Sequence, residues 1–205
     1  MRQRAASGPG RFQARFVGLA LLLVGWLVGS AGMASPASAD GQHCVKAYVA
    51  NTNSDNVSVI NTCANRVVHT VGTGPGPDGV AVTPNGKTVY AANNDTNTVS
   101  VIDARTDTVT ATITVGTNPR GVAASLDGKH VYVADFGSGD VSVISTRTNT
   151  VTATITVGDH PIGLSVTPDN RRVYVSDFST GTVSVISTRT NTVTATVAVG
   201  LFPVG

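Results

Sequence analysis

Aspartate, arginine, histidine and cysteine are the residues of this 205-residue chain that could do chemistry, and all twelve of its acidic residues are aspartate. One set stands out: Arg120, Asp135, His160 and Asp177. A guanidinium can orient an anion, an imidazole can move a proton near neutral pH, and two carboxylates can accept one. All four sit in stretches that vary while the segments around them recur, and such loops are where a ligand site can be written onto a fixed frame. The same stretches hold Asp78, Ile162, Asn93, Asp95, Phe136, Asp140 and Phe178. The competing reading is plainer. Asp and Asn at these points cap turns and satisfy loop backbone, and the two phenylalanines pack between repeats.

Signatures of dedicated catalysis do not appear in the sequence. His43, His69, His130 and His160 lack metal-ligand spacing such as His-x-x-x-His. No Gly-x-Ser-x-Gly elbow is present, and no glycine-rich phosphate loop leads into a helix. Asn93-Asn94-Asp95-Thr96-Asn97 lacks the glycine and terminal glutamate of a calcium loop. The expectation is therefore no catalytic residue, no metal and no cofactor, with Arg120, Asp135, His160 and Asp177 as a ligand-binding cluster.

The elements that must position this cluster follow from self-similarity. Tyr48, Tyr90, Tyr132 and Tyr174 are 42 residues apart, as are Pro77, Pro119, Pro161 and Pro203, and Ile60, Ile102, Ile144 and Ile186. Val141 to Thr154 recurs unchanged as Val183 to Thr196. Within the unit from Pro119, turn residues divide the chain into four short strands: Gly121–Ser125, Lys129–Ala134, Val141–Ser145 and Thr150–Val157. Asp127-Gly128 supplies the positive φ of a tight hairpin. In the fourth strand Val151, Ala153, Ile155 and Val157 alternate with threonines, as expected of an outermost strand with one apolar face. The short Gly-Val-Ala strand suits the crowded centre. Four antiparallel strands in 42 residues predict an all-β fold, a β-propeller of four-stranded blades. The absence of glutamate, a helix former, agrees.

The predicted layout is a partial first blade at 40–76, blades at 77–118, 119–160 and 161–202, and the start of a further repeat at 203–205. The first blade lacks its inner strand. An unclosed arc exposes a blade face and an unpaired edge that invite self-association. The expectation is a truncated ring whose intact form has about six to eight blades. Cys44 opens a second strand and Cys63 follows a third; these are antiparallel neighbours, so the geometry predicts a disulfide.

The first 39 residues differ from the rest. Arg2, Arg4, Arg11 and Arg15 precede an apolar run from Phe16 to Val28, which is short for a membrane span of about 20 residues. Small residues at Ala37 and Ala39 predict cleavage before Asp40, so residues 1–39 read as a signal peptide rather than an uncleaved anchor. No stable membrane span is then left. The four leader arginines account for the excess of basic residues in the chain, 14 against 12 acidic, so the mature part is slightly acidic. That balance argues against a nucleic-acid partner.

Tyr48-Val49-Ala50-Asn51, Tyr90-Ala91-Ala92-Asn93, Tyr132-Val133-Ala134-Asp135 and Tyr174-Val175-Ser176-Asp177 resemble the Tyr-Val-Thr-Asn motif of the YVTN propeller repeats. Gly79 to Pro84 and Val99 to Asp103 are similar to its flanks. The resemblance implies a bacterial exported, secreted or cell-wall-associated protein. Related propellers include electron-transfer subunits, lactonases, a streptogramin-type lyase and non-catalytic binders, so the fold names no single activity. The expected function is a binding scaffold for a protein, glycan or small molecule. The alternative is a lactonase- or lyase-like enzyme with its site at the channel mouth.

Overall fold

The computed structural model describes residues 44–204. The predicted signal peptide at 1–39 and its predicted cleavage point, His43 and Gly205 lie outside the described residues. Among the described residues the fold is all β apart from a single 3-10 turn at Thr52–Ser54. A three-stranded sheet comes first, made of β1 (Lys46–Asn51), β2 (Asn56–Asn61) and β3 (Arg66–Gly72). The second sheet holds β4 (Pro77–Val82), β5 (Thr88–Asn93), β6 (Thr98–Asp103) and β7 (Thr108–Thr114). The third holds β8 (Pro119–Ala124), β9 (His130–Asp135), β10 (Asp140–Ser145) and β11 (Thr150–Thr156). The fourth holds β12 (Pro161–Val166), β13 (Arg172–Asp177), β14 (Thr182–Ser187) and β15 (Thr192–Ala198). All pairings are between sequence neighbours and antiparallel, which tight hairpins make easy. Among the described residues, no helix is long and apolar enough to cross a membrane.

The blades stack face to face, and the strand pattern says why. Tyr90, Val99, Val101 and Ile113 of the second blade bury themselves against Val131, Val133 and Ile144 of the third. Tyr132, Val141, Val143 and Ile155 repeat the contact against Val173, Val175 and Ile186 of the fourth. Middle strands are thus covered on both faces and read as nearly continuous apolar runs. Tyr174 holds the same place in the fourth blade, has no following blade among the described residues, and is 38 % exposed. The innermost strands β4, β8 and β12 lie side by side about the axis in an unclosed ring.

Two irregularities go beyond a simple strand count. The outer strand slips by one residue between Val143 and Ile144, and the same step recurs in every blade. The predicted uninterrupted alternation of the outer strand is therefore broken at a bulge. Thr152 is the extra residue, and its hydroxyl donates to Val143 O at 3.1 Å; Thr110 and Thr194 do the same to Val101 O and Val185 O. The threonine thereby engages a carbonyl that the bulge leaves off the ladder. The inner strand carries a second bulge, between Pro119 and Val122, which holds Arg120 and Gly121. A Cβ on Gly121 would overlap the carbonyl oxygen of Ile162, and one on Gly79 would overlap that of Arg120. Glycine at these positions lets neighbouring inner strands touch backbone to backbone.

The predicted Cys44–Cys63 disulfide forms, with Cα atoms 5.4 Å apart. It ties the entry of β1 to the turn after β2, in the blade with only three strands. Replacing both cysteines by serine is expected to cost about 2 to 3 kcal/mol of stability. A urea midpoint unchanged by the double substitution would refute the role as a staple.

Candidate functional site

The loop end of the arc carries the turns before each inner strand and those joining the two middle strands of each blade. Arg120 reaches it from the β8 bulge, a device that re-aims a side chain away from the strand's regular alternation. Its guanidinium lies 4.3 Å from the centroid of the Phe136 ring, and its Nε donates to Asn118 Oδ1 at 3.2 Å. His160, just before β12, packs its ring 4.6 Å from that of Phe136. Its Nδ1 shares a hydrogen bond of 2.5 Å with Ser179 Oγ. Arg120, Phe136, His160 and Ser179 thus form a continuous strip across the third and fourth blades, with a cation stacked on an aromatic face at one end. Phe178 stacks on Phe202, with centroids 5.0 Å apart.

The two carboxylates of the predicted cluster do something different. Asp135 ends β9 instead of lying in the following loop, and it is fully buried. Its Oδ2 accepts from the Ser142 hydroxyl at 2.6 Å and the Ser142 N–H at 3.1 Å, while Oδ1 has no hydrogen-bond partner. Asp140 stands directly opposite across the hairpin. Burial, with Asp140 adding to it, pushes the Asp135 carboxyl up to about 7. Asp177 is equally buried, and its Oδ1 accepts from Ser179 N at 3.1 Å and Thr180 N at 3.0 Å. At the equivalent place Asn93 Nδ2 donates to Thr98 Oγ1 and Ser100 Oγ, and Asn51 Nδ2 to Asn56 Oδ1 and Ser58 Oγ. The position is a hairpin tie in all four blades. Glycine gives it room: a Cβ on Gly116 would stand 2.7 Å from Asp135 Cγ, and one on Gly158 would overlap Asp177 Oδ2.

The structure therefore brings Arg120 and His160 together through Phe136 and withdraws Asp135 and Asp177 beneath the surface. Ser179 and Asn118 were missed by the sequence reading. For Ser179 a signal was present: Asp-Phe-Gly at Asp135 becomes Asp-Phe-Ser at Asp177, one of three differences between the two copies of this loop. Among the described residues no three of His, Cys, Asp or Glu gather where a metal ion could sit.

Four-stranded antiparallel blades ranged about an axis, with a variable loop rim at one end, define a β-propeller. The chain belongs to the lactonase family of seven-bladed β-propellers, whose family model matches residues 45–156, more than half of its length. No curated protein matches it. Among solved structures it is similar to hydrazine synthase of Kuenenia stuttgartiensis, with a TM-score of 0.72 and 22% identity, across 80% of this chain and 53% of that one. This chain thus spans about half the length of that neighbour, and the likeness is one of fold.

Proposed function

We propose that this propeller is a non-catalytic binding module, exported to the cell exterior, whose loop rim recognises an anionic group through Arg120 and His160. One observation carries the reading: the two carboxylates of the cluster, Asp135 and Asp177, are buried in hairpin ties. His160 therefore faces Ser179 and an aromatic ring, and no rim carboxylate hydrogen-bonds it. A cation and an imidazole against an aromatic surface suit a carboxylate attached to a flat or apolar body, such as an acidic sugar. Family membership favours a second reading, a lactone hydrolase with His160 as base.

Calorimetric titration of the chain from Asp40 onward with glucuronate, beside glucose, separates the two. The expected result is binding of glucuronate alone, weakened roughly ten- to a hundredfold in Arg120→Ala, as for loss of a hydrogen bond to a charged group. No acid should be released from a panel of lactones. Lactone turnover that disappears in His160→Ala would overturn the scaffold reading and establish the enzyme.

A further inference from the structure

The repeat that builds the blades also sorts charge between the two ends of the arc. Lys87, Lys129 and Arg171 stand 42 residues apart, each in the hairpin that joins an inner strand to the next, β4 to β5, β8 to β9 and β12 to β13. Arg105, Arg147 and Arg189 keep the same period in the turns that lead into the outer strands β7, β11 and β15. Arg172 begins β13, and Lys46 and Arg66 begin β1 and β3. Antiparallel pairing sets all of these at the end opposite the loop rim: Lys46 faces Asn61, the last residue of β2, and Arg172 faces Ser187, the last of β14. Nine of the ten lysines and arginines among the described residues share that end, and all nine are exposed.

Little at that end cancels them. Its carboxylates are Asp103, Asp107, Asp127 and Asp169, four against nine, which leaves an excess of five positive charges. Asp103 Oδ1 accepts from Arg105 N at 2.7 Å and Thr106 N at 3.1 Å, so it is tied to turn backbone. Asp169 Oδ1 is tied likewise, accepting from Thr167 Oγ1 at 2.6 Å and Arg171 N at 3.0 Å. Asp107 pairs with Lys46 at 2.8 Å and Asp127 with Lys129 at 3.6 Å. Among the described residues the other seven cations have no ion-pair partner. The loop end has the opposite sign: Arg120 is its one basic side chain among the described residues, against Asp55, Asp78, Asp95, Asp140 and Asp159. A near-neutral total thus conceals two oppositely charged ends.

We propose that the basic end is a docking surface for an anionic phospholipid layer. Its cations form two rows, one on the inner hairpins and one on the turns into the outer strands, so they cover an area rather than a line. A sheet of headgroups meets both rows at once, whereas a single polymer strand follows one. Apolar tips stand among the charges. Leu126, in the β8–β9 hairpin, is 46 % exposed, and Pro84 and Pro168 take the same place in the neighbouring blades. Such side chains can enter the headgroup region while Lys and Arg stay at the level of the phosphates. Each basic residue near an anionic lipid surface strengthens binding about fivefold. The carboxylates of the far end are repelled by the same surface, so the arc rests on its basic end with the loop rim turned away. The inference does not depend on what the rim binds.

Vesicle flotation with the chain from Asp40 onward, which contains every described residue and omits the apolar run from Phe16 to Val28, tests the proposal. Vesicles of equal parts phosphatidylglycerol and phosphatidylcholine should bind the protein at low salt, and at least tenfold more weakly at about 0.5 M salt. Phosphatidylcholine alone should not bind it. Arg105→Ala, Arg147→Ala and Arg189→Ala together should weaken binding roughly a hundredfold. Their urea midpoint should match wild type, since none of the three arginines has an ion-pair partner among the described residues. Binding that is absent, equal on the two kinds of vesicle, or undiminished in the triple variant would overturn the surface. A short DNA duplex bound more tightly than the anionic vesicles would overturn the lipid in favour of a polynucleotide.

Discussion

Valine in place of Gly121 is expected to cost on the order of 4 kcal/mol, because the new side chain would meet backbone that cannot swing aside. A Cβ alone would already overlap the carbonyl oxygen of Ile162 in the next inner strand. Both strands are anchored, β8 by its pairing with β9 and β12 by its pairing with β13, so relief would require separating two blades. The loss should fall on the contact that buries Val131, Val133 and Ile144 against the second blade as well, since β8 also packs on β4. Gly72→Ala is the control: nothing lies within 4 Å of a Cβ there, and its effect should stay within about 0.5 kcal/mol. Urea unfolding of the two variants beside wild type measures the difference. Equal midpoints for Gly121→Val and wild type would contradict the close approach of the inner strands.

Asp135→Asn is expected to stabilise the protein at pH 8 and to flatten its dependence on pH. In the folded chain the carboxyl titrates at about 7, raised by burial and by Asp140 opposite. Unfolded, it titrates near 3.9. Below pH of about 4 both states hold the proton, and the full stability is present. Between roughly 4 and 7 the folded state keeps a proton that the unfolded state has released, so stability falls as pH rises through that window. Above it a buried charge faces Asp140, and the accumulated loss is on the order of 4 kcal/mol. Asparagine removes the charge and suits the site, as Asn93 demonstrates with its bonds to Thr98 and Ser100. Asp140→Asn should remove part of the same slope. Urea midpoints at pH 4.5 and 8 test this, and a wild type equally stable at both values, or an unchanged slope in Asp135→Asn, would refute it.

Both effects arise at places where the chain departs from a simple repeat of alternating strands. Strand positions in the third blade were legible to within a residue or two, and so was the pairing of Cys44 with Cys63, because hairpins and adjacent strands join residues close in sequence. The outer-strand bulge was not legible, since Thr152 looks like any other threonine in Thr-Val-Thr-Ala-Thr until the ladder is laid out. Of the candidate site, Arg120 and His160 were placed correctly at the rim. Asp135 and Asp177 share the same loops in sequence, yet they turn inward to hold their hairpins. The phenylalanines pack between repeats as the sequence suggests, Phe136 on His160 and Phe178 on Phe202, and Phe136 thereby also joins Arg120 to His160 at the rim.

The sequence alone determined the period, the four-stranded unit, the order of the blades and the disulfide. Each depends on local turn chemistry or on repetition, which are written in neighbouring residues. Tertiary structure decided which polar groups remain available. Tyr48 and Tyr90 are equivalent in the repeat, but Tyr90 is satisfied by Asn149 while Lys46 draws Asp107 away from Tyr48. That outcome depends on side chains about 60 residues apart meeting across two blades. No local pattern encodes it, because burial and long-range apposition together set whether a polar atom is tied or free.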